Sequence, residues 1–149
     1  MSLVSSADQI IAEDLGIIPE EVIRFRQRHQ LRGMSVLQFG FTGDIESNPH
    51  HPNNIREDQV VYTGTHDNNT AEGWFVSASD EEQKQVRFLA HPGETIAQTL
   101  IRLAQSTRSP ISIIPLQDHL GLGEEGRMNV PGRKGENWSW KCTWQDLDR

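Results

Sequence analysis

The chain has 149 residues, and its 21 Asp and Glu outnumber its 14 Lys and Arg, giving a formal net charge of -7 at pH 7. This length suits one domain with a sizeable core, and the net acidity argues against nucleic acid as a partner. The single cysteine, Cys142, excludes an internal disulfide and a cysteine-based zinc cage. The scattered histidines lack the spacing of metal ligands, so we predict no metal site.

No apolar run in the sequence approaches the roughly 18 residues that a membrane-spanning helix needs, so we expect no membrane contact. The first residues, Met1 to Ser6, carry neither the basic region nor the apolar region of a secretory signal peptide. We therefore expect a cytoplasmic protein.

The first predicted strand is the apolar run at residues 10–12, which ends at the acidic pair Glu13 and Asp14. Pro19 and the two acids after it are typical of a helix start, and this helix should end near Gly33. Residues 34–41 form the second predicted strand, which carries apolar side chains on both faces, as in a strand covered on both sides.

Residues 42–58 contain one Gly, two Pro, three Asn and two His and predict a long loop. Loops of this length inside a compact domain are uncommon and are usually functional. The third predicted strand, residues 60–63, runs into the polar segment 64–70.

Two helices are predicted next. Ser79 and Glu82 form a capping-box pattern for a helix that reaches about Ala90. The second helix has an apolar stripe at Ile96, Ala97, Leu100, Leu103 and Ala104. The fourth predicted strand covers residues 111–116, and residues 121–149 are a tail rich in glycine and tryptophan.

This alternation of strands and helices predicts an α/β fold with parallel, buried strands, either half of a (β/α)8 barrel or a small doubly wound sheet. Polar side chains follow each predicted strand. In a barrel this edge is the catalytic face, and in a doubly wound sheet it is the ligand crevice. These polar residues are Glu13, Asp14, Gln38, His66, Asp67, Asn68, Gln117 and Asp118.

Glu13 and Asp67 are the strongest candidates for chemistry. Two carboxylates at neighbouring strand ends can divide acid, base and electrostatic roles, and glycoside chemistry needs such a pair. His66 is a candidate donor to a substrate hydroxyl. The alternative is structural: Asp14 caps a helix, and Asp67 and Asn68 only make a turn.

Three other patterns are weaker. Residues 121–126 match the glycine fingerprint of dinucleotide-binding proteins, but no helical pattern opens there. Asp118 and His119 suggest a catalytic triad, but no serine lies in a nucleophile elbow. Trp138 and Trp140 either stack on a sugar or, more commonly, pack in the core.

Several segments together closely resemble the 4-alpha-glucanotransferases, the amylomaltase or disproportionating-enzyme family. They occur in the family's order and cover nearly the whole chain. They are IAEDLG at 11–16, GMSVLQF at 33–39, VYTGTHDN at 61–68, PLQDHLGLG at 115–123, RMNVPG at 127–132 and NWSW at 137–140.

The resemblance implies a (β/α)8 barrel that acts on an α-1,4-glucan without a cofactor. It implies that Glu13 is the general acid/base at the end of strand five. It also implies that Asp67, at the end of strand seven, is the carboxylate that stabilises the transition state. His66, Asn68 and Asn129 are the implied contacts to the sugar.

The chain departs from the family at its nucleophile, an aspartate in an Arg-x-Asp-His motif that is absent here. Thr42 stands where the family often has an acid. We therefore predict one partial domain, residues 1–149, that forms the carboxyl-terminal half of the barrel, about strands five to eight, and is inactive alone. The alternatives are a non-catalytic half-barrel that binds glucan or associates with itself, and a hydrolase of the same superfamily.

Half of a barrel has two open edges and an inner face without an opposite wall, which favours self-association. We predict a homodimer. The alternative is a monomer in which the loop at 42–58 or the tryptophan tail covers the open face.

Overall fold

A parallel sheet of three strands lies at the centre of the computed structural model, which describes residues 9–147. The order in the sheet is β1 (Gly33–Val36), β2 (Gln59–Tyr62) and β3 (Ser112–Ile113), the same as in the chain. Gly33 is paired with Gln59 in the first ladder. The parallel strands and the helices around them confirm the predicted α/β class.

One α-helix precedes β1, three connect β2 to β3, and one follows β3. Among residues 9–147, none is long and apolar enough to cross a membrane. They are α1 (Glu20–Arg28), α2 (Ala71–Ser77), α3 (Asp80–Leu89), α4 (Ile96–Ser106) and α5 (Leu116–His119). The predictions for α1, α3 and α4 are confirmed, whereas α2 and α5 were not predicted.

Local capping explains where α3 and α4 begin. The Ser79 backbone N–H donates to Glu82 Oε2 at 2.7 Å, and the Glu82 N–H donates to Ser79 Oγ at 3.4 Å, so the predicted capping box is confirmed. Thr95 and Gln98 form a second box at the start of α4. Each box satisfies backbone donors that the first helical turn leaves free.

The core lies between one face of the sheet and helices α2 and α4. Val61 points into it, and its neighbour Tyr62 points to the opposite face, because side chains alternate along a strand. The largest fully buried apolar side chains of the core are Phe41, Leu37, Ile55, Leu100, Val61 and Val86.

The second predicted strand is too long. It ends at Val36, and Leu37–Phe39 form a turn of 3-10 helix. In an extended chain, Phe39 would share a face with Leu37 and Phe41. The helical turn lets Leu37 and Phe41 enter the core while Phe39 remains 39% exposed beside a cavity.

The first and fourth predicted strands are also shorter than expected. The segment at 10–12 contributes one parallel bridge, between Ile11 and Arg32, beside β1. The fourth strand is reduced to β3 because Pro115 already precedes the first turn of α5. Four parallel segments thus lie side by side in chain order.

A buried ion-pair cluster holds the first segment against the sheet. Arg26 on α1 is 3% exposed, and its guanidinium lies 3.0 Å from both Asp14 Oδ2 and Asp58 Oδ2. Asp14 Oδ1 also accepts the Met34 backbone N–H at 2.7 Å. Asp14 therefore anchors the segment that carries Glu13, and the helix-capping role considered for it is wrong.

Candidate active site

A cavity of about 1310 Å³ opens where the parallel segments end. Tyr62 and Ile113 form part of its floor, and the start of the loop at 42–58 forms part of its wall. Ligand sites of α/β proteins lie at this edge because the loops after parallel strands meet there. Of the five site residues that the resemblance implies, four line the cavity, namely Glu13, His66, Asp67 and Asn68, and Asn129 does not.

Glu13 and Asp67 reach this cavity from different segments. Glu13 comes two residues after the Ile11 bridge and is exposed, and Asp67 follows β2 with its side chain 50% exposed. Because β1 lies between the two segments, the expectation that they are direct neighbours is wrong. The two carboxylates still share one solvent-accessible space, which a sugar ring can enter.

His66 lies beside Asp67 and beside an aromatic ring. Its Nε2 is 3.4 Å from Asp67 Oδ1, and its ring centroid is 5.1 Å from that of Trp138. Asn68 instead shapes the turn, since its Oδ1 accepts from the Thr65 backbone N–H at 2.9 Å and from Thr65 Oγ1 at 2.8 Å. The side-chain oxygen of Asn68 thus has the turn-making role that was the structural alternative for this residue.

Asp67 accepts hydrogen bonds from two side chains of the RMN segment at residues 127–129. Asn129 Nδ2 donates to Asp67 Oδ1 at 2.6 Å, and Arg127 Nη2 donates to the Asp67 carbonyl oxygen at 3.0 Å. Arg127 Nε also donates to the Asn129 carbonyl at 2.9 Å, which joins the two donors. Arg127 was not among the predicted site residues, although it belongs to a motif that carried the resemblance.

Asp118 fixes both ends of the segment that carries Asp67. It is 2% exposed, and its carboxylate accepts Thr63 Oγ1 at 2.5 Å and the Ala71 backbone N–H at 2.8 Å. Burial raises the pKa of the Asp118 carboxyl. Thr63 directly follows β2 and Ala71 begins α2, so this carboxylate sets the span of residues 64–70. The triad considered for Asp118 is therefore replaced by a structural role.

Gln38 supports the same segment from the β1 side. Its side chain is buried, and its Nε2 donates to the Asn69 carbonyl at 2.9 Å. A Cβ atom on Gly64 would lie 2.6 Å from this nitrogen, so the close approach requires glycine there.

His50 joins the loop at 42–58 to β1. Its Nδ1 accepts the Val36 backbone N–H at 3.2 Å and lies 3.3 Å from Ser35 Oγ. Burial lowers the pKa of the His50 ring, and Asp14 opposes this shift only in part. An accepting Nδ1 carries no proton, so the geometry needs the neutral ring with its proton on Nε2.

Comparisons with known proteins identify the family of this chain. The sequence model of the 4-alpha-glucanotransferase family matches residues 2–146. The chain belongs to this family. The 4-alpha-glucanotransferase of Solanum tuberosum, named as chloroplastic/amyloplastic, is 49% identical over 134 residues, covering 89% of this chain and 23% of that protein. The enzyme of Synechocystis is 47% identical over 135 residues, covering 89% and 26%.

Solved structures of this family also match. Amylomaltase from Streptococcus agalactiae, in complex with acarbose, has a TM-score of 0.88 at 34% identity and covers 93% of this chain. Amylomaltase from Corynebacterium glutamicum, at 18% identity over 87% of this chain and 24% of that one, has a TM-score of 0.61 and shows likeness of fold alone. The chain spans only 28% of the Streptococcus structure and 23% of the potato protein.

These matches confirm the family resemblance read from the six segments. The potato protein's name places that relative in a plastid, and the cytoplasmic location expected here stays a prediction.

Two variants of Asp118 should distinguish the contribution of its hydrogen bonds to stability from that of its charge. Asp118→Leu leaves the Thr63 hydroxyl and the Ala71 N–H without their acceptor, which costs about 1–3 kcal/mol for each buried group. Asp118→Asn keeps one acceptor for Ala71 and offers a donor to Thr63, so it should cost less than the leucine variant. Urea unfolding of both variants measures this difference. Equal losses from the two variants would contradict the role assigned to the hydrogen bonds.

The neutral His50 ring predicts a pH dependence of stability. The pKa of His50 in the folded chain lies below its ordinary value of 6.5. The stabilisation that the neutral His50 ring gives to the fold is therefore fully present above about pH 6.5. It is lost as the pH falls through the folded pKa, since the unfolded chain binds the proton first. His50→Asn keeps an acceptor for Val36 and should flatten the fall in unfolding free energy between about pH 7 and pH 5.

The matched control is His29→Asn, which replaces an exposed ring on α1. This variant should keep the native slope of unfolding free energy against pH. His51, whose pKa is also lowered by burial, retains its share of the slope in both variants. A native slope in His50→Asn would show that the ring does not need to be neutral.

Proposed function

We propose that this chain supplies the acid/base and charge-stabilising residues of a 4-alpha-glucanotransferase that acts on α-1,4-glucans. In this proposal it forms the carboxyl-terminal half, about strands five to eight, of a (β/α)8 barrel. One observation carries the proposal: Glu13 and Asp67 face the same cavity, at the edge where the parallel segments end. The acarbose complex of the Streptococcus relative supports a glucan as the substrate.

Glu13 is the general acid/base of the proposed reaction. It protonates the glycosidic oxygen as the bond breaks and later takes a proton from the 4-hydroxyl of the acceptor glucan. Its exposure to the cavity suits a group that exchanges a proton with two successive partners. Asp14, its neighbour, is held by the buried Arg26, so the backbone that carries Glu13 is fixed to the sheet.

Asp67 stabilises the positive charge that develops on the sugar in an oxocarbenium-like transition state. Its amide partner Asn129 orients the carboxylate, and Arg127 holds its backbone. The role of Asn129 is thereby to hold Asp67, in addition to the sugar contact first expected of it. His66 supplies a neighbouring donor for a sugar hydroxyl.

The glycosyl group is transferred with net retention, through two inversions at the anomeric carbon. The first inversion needs a nucleophile, and no Arg-x-Asp-His motif that would supply one occurs in this sequence. The nucleophile therefore comes from the part of the family's chain that this sequence does not span. The reaction calls for no cofactor.

A chimera tests the proposal directly. This chain replaces the matching segment of the Streptococcus amylomaltase, and the product pattern from maltotriose is measured. We expect glucose and longer maltodextrins. Glu13→Gln, which cannot shuttle a proton, should lower turnover about 10²- to 10⁴-fold, and Asp67→Asn about as much.

Two further measurements complete this test. The 149-residue chain alone should give no transfer products, since it lacks a nucleophile. The exposed Glu20→Gln on α1 is the matched control and should leave turnover of the chimera unchanged. Full turnover of a chimera that carries Glu13→Gln would refute the acid/base role, and release of glucose without longer products would favour the hydrolase.

We further propose that the isolated chain forms a homodimer through the open side of its sheet. Ile113 on β3 is 42% exposed, and Ile11 at the opposite edge is 41% exposed. Unpaired edges and apolar side chains of this kind invite another chain. The charge of -7 on each chain opposes association weakly, because salt screens beyond about 8 Å at physiological strength.

Placing a charge on the sheet edge should weaken this dimer. In sedimentation velocity at micromolar concentration, we expect the native chain to be a dimer and Ile113→Lys to shift towards the monomer, because a buried lysine would lose its hydration. The control Ile17→Lys makes the same change at a fully exposed site away from the cavity. A monomeric native chain would rule out the dimer.

A further inference from the structure

Trp138 combines exposure with a disfavoured backbone. Its side chain lies on the wall of the cavity and is 59% exposed, whereas Trp74 is partly buried against the core. Its φ is +61°, a left-handed conformation that bulky residues rarely adopt. A tryptophan that only filled space would be expected in the core, with an ordinary backbone.

The surrounding segment holds Trp138 in this conformation. Its backbone N–H donates to the Met128 carbonyl at 2.8 Å. The side chain of Asn137 accepts the Val130 N–H at 3.1 Å and donates to the Arg133 carbonyl at 2.9 Å. An unfavourable conformation persists where neighbouring contacts determine it, and such positions cluster at binding sites.

The ring of Trp138 lies beside the polar end of the cavity. Its centroid is 5.1 Å from that of His66, and His66 Nε2 lies 3.4 Å from Asp67 Oδ1. A flat apolar face thus stands next to a ring nitrogen and a carboxylate. A pyranose matches this arrangement, because its C–H face is apolar and its hydroxyls point outwards around the ring.

We infer that Trp138 is a stacking platform for one glucose ring of the bound glucan, with the hydroxyls of that ring directed towards His66 and Asp67. This inference rests on the proposed function and adds a binding residue to the same cavity. It also assigns a use to the left-handed backbone, which presents the indole to the cavity instead of to the core.

Titration of the 149-residue chain with maltotriose tests the platform, with the indole N–H signals followed by NMR. We expect the Trp138 signal to shift on binding. Trp138→Phe keeps a flat ring and should bind within a few-fold of the native chain. Trp138→Asn should bind about tenfold or more weakly, since the stacking contact is lost.

The stability of the variants in urea distinguishes sugar stacking by Trp138 from a role in packing the fold. Asn tolerates the left-handed backbone better than Trp does, so Trp138→Asn should be as stable as the native chain in urea or more stable. If that variant fails to fold, Trp138→Leu replaces it, because leucine keeps apolar bulk without a flat face. Trp144→Asn is the control, since Trp144 is 85% exposed and does not line the cavity.

Native affinity in both Trp138→Asn and Trp138→Leu would overturn the inference, as would an unchanged Trp138 signal in saturating maltotriose. Neither result would alter the chimera experiment, which measures turnover through Glu13 and Asp67. Failure of the platform is thus distinguishable from failure of the proposed function.

Discussion

The buried carboxylate of Asp118 is the constraint on which the geometry of the cavity edge depends. It joins Thr63, the residue after β2, to Ala71, the first residue of α2, and so fixes the seven-residue segment between them. Desolvation makes this placement costly for the charged form and raises the pKa of Asp118. Two donors aimed at its oxygens offset that penalty and leave the turn around Asp67 little freedom.

Asp67 is held from two sides. On one side, Gln38 and Asp118 determine the path of the backbone, and on the other, Arg127 and Asn129 bind the residue itself. A side chain in a half-exposed position would ordinarily sample several rotamers. Here the hydrogen bonds reduce that sampling, and this ordering is what electrostatic stabilisation of a transition state needs.

Signals local in sequence predicted the helices well. The box of Ser79 and Glu82 and the apolar stripe of α4 each specify a helix within about ten residues. Helix α2 was missed because Gly73 interrupts its short pattern, although Thr70 caps it through a hydrogen bond to the Gly73 N–H. Strand lengths were overestimated because contacts distant in sequence decide them, such as the joint burial of Leu37 and Phe41.

For the candidate site, too, the sequence identified some residues but not the contacts that are distant along the chain. Polar residues after each strand identified Glu13, His66, Asp67 and Asn68, because the carboxyl ends of parallel strands meet at one edge. The holding role of Asn129 and Arg127 could not be read from the sequence, since 62 positions separate Asn129 from the carboxylate it binds. Which carboxylate has a structural task is likewise settled by burial, since Asp118 is buried and the side chain of Asp67 is half exposed.

That long separation has a consequence for the order of assembly. Helices stabilised by their own caps form early, whereas a contact that closes a long loop forms only after the intervening chain has folded. The bond from Asn129 to Asp67 closes across β3, α4 and the cavity floor. The carboxylate therefore acquires its final orientation only once the chain as far as Asn129 has folded.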